Sequence, residues 1–269
     1  MSYKIIDMHT HTDNSPDGHH SAMYLCEQAY MSGLRAIAFT DHVEVDFYKR
    51  DSYDKAAVQS FFEAVKARSA FTGKLIVCAG VELGQPMYDV KTAEEIISAR
   101  PYDIVIGSVH NLEGEQDFWY LDYSQYNIDS LLRQYFDELL RLAEWGKFDT
   151  MAHITYPLRY ICGEHNIPVD MDKYADCIDN ILKALVKSGK ALEINTSGLR
   201  QKLGRTMPDE DVVKRFKELG GTMVTVGSDA HYAKDLGAGI SEGMDIAKRC
   251  GFDSVTLFLN RTPMQIPIE

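Results

Sequence analysis

The segment that decides the fold is Lys4-Ile5-Ile6-Asp7-Met8-His9-Thr10-His11, a short apolar run that ends in two histidines. Its first residues are typical of a strand, and residues i and i+2 of a strand point to the same side. We therefore expect His9 and His11 to face the same space at the end of the strand. Two imidazoles side by side suit a metal site better than an apolar core.

Apolar, strand-like runs that end in a polar side chain recur along the whole chain. Segments with helical spacing separate them, and several end at a glycine, as helices commonly do. This alternation with short connections is typical of a parallel sheet. Strands are predicted at 4–8, 35–39, 75–81, 103–109, 150–154, 191–194, 222–226 and 255–259, and helices at 21–32, 53–70, 92–99, 128–145, 171–188, 209–219 and 241–249.

The number of these units indicates the fold class. With 269 residues the chain could form one α/β barrel or two smaller domains. Seven or eight strand–helix units without a long linker favour a closed or nearly closed barrel, and we expect 1–269 to be a single domain. In such barrels the active site lies at the carboxyl ends of the strands.

Composition restricts the function classes. The net charge of −12 disfavours a broad nucleic-acid surface, which would normally be basic, although bound divalent ions can still attract an anionic substrate into a cleft. The five scattered cysteines are expected to be free thiols in a reducing compartment. No apolar run approaches the ~18 residues of a membrane span, and the start of the chain lacks the apolar stretch of a signal peptide. We expect a cytoplasmic protein without a membrane partner.

Six of the nine histidines follow predicted strands. A lone histidine after a strand is more often an ordinary loop residue, but six at strand ends indicate a common site. Together with three carboxylates they exceed the roughly four ligands of one zinc ion, so two or three ions are expected. Without thiolates, this ligand set suits Zn, Mn or Fe and does not choose among them. The candidates are His9, His11, Asp17, His42, Glu82, His110, His153, Asp229 and His231.

Taken together, these motifs resemble the polymerase-and-histidinol-phosphatase (PHP) superfamily. The resemblance covers nearly the whole chain, and the run from Glu193 to Arg200 (Glu-Ile-Asn-Thr-Ser-Gly-Leu-Arg) is similar to the histidinol-phosphatase branch. It implies a distorted (β/α)7 TIM-like barrel with a trinuclear metal centre at the carboxyl ends of its strands. The motifs are Asp7-x-His9-x-His11, Thr40-Asp41-His42, Gly80-x-Glu82, Ser108-x-His110, His153 and Ser228-Asp229-x-His231.

The resemblance also implies a ligand set for each ion. The first ion takes His9, His11, Glu82 and Asp229; the second takes Glu82, His110 and His153; the third takes Asp17, His42 and His231. Glu82 is then a bridge between two ions. Asp17 stands where some relatives have a histidine, and an aspartate that other relatives carry shortly after the equivalent of His153 is missing here.

The implied function is hydrolysis of a phosphomonoester, with L-histidinol phosphate as the substrate and histidine biosynthesis as the setting. We expect a metal-bridging hydroxide to attack phosphorus in line, because clustered divalent ions activate water and neutralise phosphate oxygens. Arg200 and Arg159 are the candidates to bind the phosphate. We expect a metal-bound water or a histidine, such as His231, to protonate the leaving oxygen, and the sequence does not choose between them.

Several side chains near the ligands have less specific expectations. Asp7 and Asp41 flank ligands and are expected to orient imidazoles rather than bind metal. Glu113 and Glu115 follow His110, where they could meet a substrate amine, although exposed loop carboxylates are the more ordinary reading.

Three alternative functions share parts of this pattern. A nuclease or nucleotide phosphoesterase of the same superfamily would use the same metals with a basic, aromatic groove. An amidohydrolase-type barrel would need fewer ligands. A non-catalytic metal-binding barrel would lack turnover. The expected partner is a small phosphorylated molecule rather than nucleic acid, and the sequence leaves the oligomeric state open.

Overall fold

Seven of the eight predicted strands lie side by side in a parallel sheet that curves into a barrel. The computed structural model describes residues 5–268, so Lys4, at the start of the predicted strand 4–8, lies outside the described residues. In spatial order the wall contains β1 (Ile6–Thr10), β2 (Ala36–Phe39), β4 (Ile76–Gly84), β5 (Ile104–Ser108), β6 (Thr150–Met151), β7 (Ala191–Asn195) and β8 (Val224–Gly227). The predicted (β/α)7 barrel is confirmed.

Backbone hydrogen bonds between the first and last strands close this barrel. The amide of Asp229 donates to the carbonyl of His9 at 2.8 Å, and the amide of His11 donates to the carbonyl of Ala230 at 2.9 Å. Closure therefore occurs at the carboxyl end of β1, where the two histidines lie.

The helices cover the outside of the barrel. Helix α4 buries one side that includes Leu132 and Leu139, as its spacing predicts, and it ends at Gly146 in the left-handed conformation with φ 62°. The bounds predicted for α2 and α4 are those observed. The helices are α1 (Ala22–Met31), α2 (Tyr53–Ala70), α3 (Val90–Ser98), α4 (Ile128–Trp145), α5 (Ala175–Ser188), α6 (Glu210–Glu218) and α7 (Ile240–Arg249).

Two observed strands, β3 (His42–Glu44) and β10 (Thr262–Pro267), were not predicted. Strand β3 continues the direction of β2 after a break at Thr40-Asp41, and it pairs with the second half of β4 so that His42 lies opposite Glu82. The observed β6 is shorter than the predicted 150–154, because the chain leaves the sheet before His153.

The last predicted strand is not part of the barrel wall. Strand β9 (Ser254–Leu259) forms an antiparallel hairpin with β10 (Thr262–Pro267), joined by Asn260 and Arg261, both with positive φ. The turn residues bind Asp103, and Arg261 also pairs with Asp149. Since these aspartates immediately precede β5 and β6, the hairpin turn lies at the end of the barrel opposite the histidines.

Among residues 5–268, no helix has both the length and the apolar character that crossing a bilayer requires.

Candidate metal centre and cleft

The carboxyl ends of the strands bring the nine predicted residues together, with the buried carboxylate of Glu82 at their centre. Glu82 is fully buried, and one of its oxygens, Oε1, lies 3.1 Å from Nε2 of His110 and 3.0 Å from Nε2 of His153. Its other oxygen, Oε2, lies 3.2 Å from Nε2 of His9 and 2.9 Å from Nδ1 of His42. Glu82 is therefore the geometric centre of the cluster.

Two further carboxylates extend the cluster towards solvent. Oδ1 of Asp229 lies 3.3 Å from Nε2 of His11. The exposed Asp17 side chain reaches Nε2 of His231 at 3.1 Å and Nε2 of His42 at 3.7 Å. Asp229 has φ 53°, a left-handed conformation that aspartate tolerates better than most residues. This places Asp17 at the outer edge of the cluster.

The clustered atoms have the spacing and chemistry of divalent metal ligands. In four overlapping groups of three residues, the nitrogen and oxygen atoms lie within 4.8 Å of one another. The group of His9, His11 and Asp229 falls within the first ligand set implied by the resemblance. In the second set, Glu82 is grouped with His153 in one case and with His110 in another. The groups are His11, His42 and His231; His9, Glu82 and His153; His9, His11 and Asp229; and His42, Glu82 and His110.

Buried atoms without hydrogen-bond partners support this fit. Among the described residues, several inward-facing nitrogen atoms and one carboxylate oxygen have no partner of acceptable geometry. Leaving such atoms buried and unpaired is costly unless a cation satisfies them. The donor set of imidazole and carboxylate suits a divalent ion. The atoms are Nε2 of His9, His11 and His231, Nδ1 of His42 and Oε2 of Glu82.

The cluster is strongly coupled electrostatically. Burial alone would raise the pKa of Glu82, but the surrounding histidines, His9 and His110 above all, hold it well below its usual range. Burial opposes charge on His110, yet Glu44 and Glu82 raise the pKa of this imidazole to about 10. By contrast, burial and the neighbouring His231 and His42 lower the pKa of His11 to about 3. Without metal, the carboxylates keep protons on some of the imidazoles.

Metal binding should therefore release protons. A ligating imidazole must be neutral, and the raised pKa of His110 means that its proton is still bound at pH 7 in the metal-free protein. We expect zinc affinity to keep rising as the pH increases from 7 to 9, whereas histidines of ordinary pKa would already be neutral there. Competition with a chelator at each pH measures this. A zinc affinity that is constant from pH 7 to 9 would contradict it.

Two carboxylates bind predicted ligands on the side that faces away from the cluster. Glu193 accepts a hydrogen bond from Nδ1 of His9 at 2.6 Å and from the backbone amide of His153 at 2.9 Å. Glu44 accepts from Nδ1 of His110 at 3.0 Å. Such partners fix which ring nitrogen faces the metal. Glu44 was not predicted from the sequence, although its position two residues after His42 on a strand was a signal for it.

Two glycines make room for these supporting carboxylates. A Cβ atom at Gly84 would overlap the carboxylate of Glu44, and one at Gly227 would overlap both His9 and Glu193. Neither glycine is required for a turn at these points. Glycine is needed at both positions because a side chain would occupy the space that Glu44 and Glu193 fill.

The expected roles of Asp7 and Asp41 need correction. Asp7 accepts hydrogen bonds from the amide and hydroxyl of Ser228 and from the amide of Gly237, so it holds the loop after β8 rather than an imidazole. Asp41 binds Thr12, Ser15 and Ser60, and it reaches an imidazole only through Ser15, whose hydroxyl lies 3.1 Å from Nδ1 of His11.

A cleft of about 1400 Å³ opens above the cluster and contains both predicted phosphate-binding arginines. Arg159 begins a wide helical turn, Arg159–Glu164, that follows the chain exit from β6. Arg200 donates to the backbone carbonyls of Ser228 at 2.6 Å and Asp229 at 2.8 Å. Much of its hydrogen-bonding capacity thus already supports the loop that carries Asp229.

The loop after His110 leaves Glu113 and Glu115 exposed, as the more ordinary reading of the sequence predicts. Glu115 lines the cleft but accepts a hydrogen bond from the hydroxyl of Tyr126, and Glu113 is exposed. Asp117, which the sequence analysis did not single out, lies deeper and accepts from the hydroxyl of Tyr156 at 3.1 Å. The three loop histidines left out of the ligand set (His19, His20 and His165) lie outside the cluster.

Comparisons with known proteins agree with this architecture. The PHP domain family matches residues 7–197. A protein named probable histidinol-phosphatase from Thermotoga maritima is 30% identical over 93% of this chain and 94% of its own. The histidinol-phosphatase of Lactococcus lactis is 26% identical over 95% of this chain and 94% of its own.

A solved structure with a closely similar fold adds chemical detail about a relative. The crystal structure of histidinol phosphate phosphatase from Lactococcus lactis, complexed with zinc, L-histidinol and phosphate, superimposes with a TM-score of 0.81. The superposition covers 98% of this chain and 100% of the chain in the Lactococcus lactis structure, and the two sequences are 26% identical. The similarity in fold therefore extends over nearly the whole chain.

Proposed function

Because the chain belongs to the PHP domain family, in its histidinol-phosphatase branch, we propose that it hydrolyses L-histidinol phosphate to L-histidinol and phosphate. The observation that carries this proposal is the cluster around Glu82, which lies at the floor of a cleft with an arginine on its wall. The reaction class is phosphoric monoester hydrolysis. Histidinol-phosphatase relatives that align over nearly the whole chain support the same substrate.

We propose that the cluster holds two or three divalent ions, with zinc, manganese or iron as the candidates. The ligand sets remain those implied by the family: His9, His11, Glu82 and Asp229; Glu82, His110 and His153; and Asp17, His42 and His231. Ions bound there would supply an activated water and neutralise the oxygens of the phosphate.

The protein's own residues prepare this site. Glu193 accepts a hydrogen bond from Nδ1 of His9, and Glu44 accepts one from Nδ1 of His110, so that Nε2 of each ring is free to face an ion. In His231, Nδ1 lies 3.0 Å from the carbonyl of Asp229, which leaves Nε2 towards Asp17 and the other histidines. We therefore favour a ligand role for His231, and its role as a proton donor stays a prediction.

We propose that Arg159 binds the phosphate and that Arg200 assists. Arg159→Gln is expected to lower kcat/KM for the phosphomonoester about 10-fold to 100-fold, since a charge-assisted hydrogen bond is lost, with metal content unchanged. Steady-state kinetics and metal analysis measure both effects.

In Arg200→Ala, reduced turnover with full metal content supports a phosphate role. Loss of metal would instead assign Arg200 to holding the loop of Asp229.

The proposed function is tested by phosphate release from a panel of substrates. The metal-loaded protein is incubated with L-histidinol phosphate, nucleotides and short oligonucleotides, and its metal content is measured in the same preparation. We expect L-histidinol phosphate to have the highest kcat/KM. Brisk cleavage of oligonucleotides with negligible activity on L-histidinol phosphate would replace the proposal with a nuclease of the same family. Bound metal without turnover of any substrate would indicate a binding protein.

A further inference from the structure

One carboxylate in the cleft belongs neither to the metal cluster nor to its support. Asp117 is half-buried and lines the cleft. It accepts hydrogen bonds from the amide of Trp119 at 2.7 Å and from the hydroxyl of Tyr156. A carboxylate offers about four acceptor positions, so these contacts leave capacity for another donor. Among residues 5–268, no cationic side chain forms an ion pair with it; Arg159, whose guanidinium lies 5.4 Å from the centre of the Tyr160 ring, interacts with Asp117 electrostatically without pairing.

The position of Asp117 is fixed relative to the metal cluster. The chain turns back after His110, so that Asn111 and Asp117 form an antiparallel bridge and the amide of Phe118 donates to the carbonyl of His110 at 3.1 Å. The ring of Tyr156 packs against His110 with 5.1 Å between ring centres, and its hydroxyl reaches Asp117. About one tyrosine ring therefore separates the cluster from this carboxylate.

Aromatic rings surround the same point. The hydroxyl groups of Tyr156 and Tyr160 lie 3.0 Å apart, and the ring of Trp119 lies 5.8 Å from that of Tyr160. Trp119 is 61% exposed, which leaves its face available in the cleft. Aromatic faces beside a carboxylate attract organic cations, because the ring quadrupole and the negative charge both favour a positive group. Burial also raises the pKa of the Asp117 carboxyl, an effect that a bound cation would oppose.

We propose that Asp117, walled by Tyr156, Tyr160 and Trp119, receives the positively charged nitrogen of the substrate while its phosphate lies over the metal cluster. This inference rests on the proposed function and extends it, because it assigns the residue that selects aminoalkyl phosphates over uncharged alkyl phosphates. Glu115 is a poorer candidate since it is exposed and already binds Tyr126. The occupant is an ammonium or imidazolium joined to a phosphate by a short carbon chain.

The test compares two substrates that differ in one cation. Ethanolamine phosphate and ethyl phosphate are hydrolysed by the wild-type protein, Asp117→Asn and the control Asp122→Asn, each with its metal content measured. Asp122 lies in the same loop, and among residues 5–268 its hydrogen-bond partners are Ser124 and Gln125 in its own turn. We expect Asp117→Asn to lower kcat/KM for ethanolamine phosphate about 10-fold to 100-fold and to leave ethyl phosphate within about twofold. Asp122→Asn should match the wild type on both.

Each outcome decides the inference. Loss of the wild-type preference for the cationic substrate in Asp117→Asn, with metal retained, supports it. Equal losses on both substrates would show that Asp117 only maintains the loop, and a preference that survives the substitution would place the cation elsewhere. A wild-type protein with no preference for the cationic substrate would also overturn it. Failure on L-histidinol phosphate alone, with the ethanolamine preference intact, would contradict the proposed function and leave the cation subsite supported.

Discussion

Replacing Glu82 with glutamine is expected to lower kcat/KM for the phosphomonoester by about 10³-fold or more and to remove at least one metal ion. The carboxylate lies within hydrogen-bonding distance of four imidazoles, and all four are predicted ligands. Glutamine keeps the shape but loses the negative charge, so it can neither bridge two cations nor balance their charge. Phosphate release and metal content, measured on the same sample, test both parts.

The matched control for this substitution is Glu95→Gln. Glu95 is an exposed carboxylate on α3 whose only close pairing is with Lys91 at 3.9 Å in the part of the chain that the structure describes. We expect Glu95→Gln to leave metal content and turnover unchanged. A Glu82→Gln protein that retains its full complement of metal and more than a tenth of the wild-type activity would show that Glu82 is not the bridge.

Asp7→Ala is expected to destabilise the protein by about 3 kcal/mol. The buried carboxylate of Asp7 accepts three hydrogen bonds from Ser228 and Gly237, and alanine would leave those donors buried without a partner. These hydrogen bonds join β1 to the loop after β8. Their loss therefore also loosens the position of Asp229, which lies in that loop. The free energy of unfolding from urea denaturation measures the effect.

A surface aspartate provides the comparison for Asp7→Ala. Asp137 is exposed on α4, and Asp137→Ala should change the free energy of unfolding by less than about 0.5 kcal/mol. If Asp7→Ala changed the free energy of unfolding equally little, the interpretation of Asp7 as the link between β1 and the loop after β8 would be wrong.

The sequence predicts the convergence of the site well because strand geometry is local. His9 and His11 are two residues apart on a strand, and parallel strands bring their carboxyl ends to one edge of the sheet. The ligand role of each of the nine residues stays a prediction, although the structure places them together. Residues 1–269 as one domain, a cytoplasmic location and the absence of a nucleic-acid partner also stay predictions.

The sequence predicts long-range supporting contacts poorly. Glu44 and Asp117 are ordinary acidic residues until β3 and the loop after His110 are placed in space. Asp7 lies next to a ligand in sequence, yet its partners are Ser228 and Gly237, more than 200 residues away. The strand predicted at 255–259 has no partner that the sequence identifies, and its pairing with β10 depends on a turn bound to Asp103.

Barrel closure has a consequence for synthesis of the protein. The backbone of Asp229 binds that of His9, and the proposed ligands extend from residue 9 to residue 231. A nascent chain on the ribosome therefore lacks a complete site until residue 231 has emerged. If the site binds the proposed ions, the full set can be incorporated only after the strands that carry His9 and Asp229 have met.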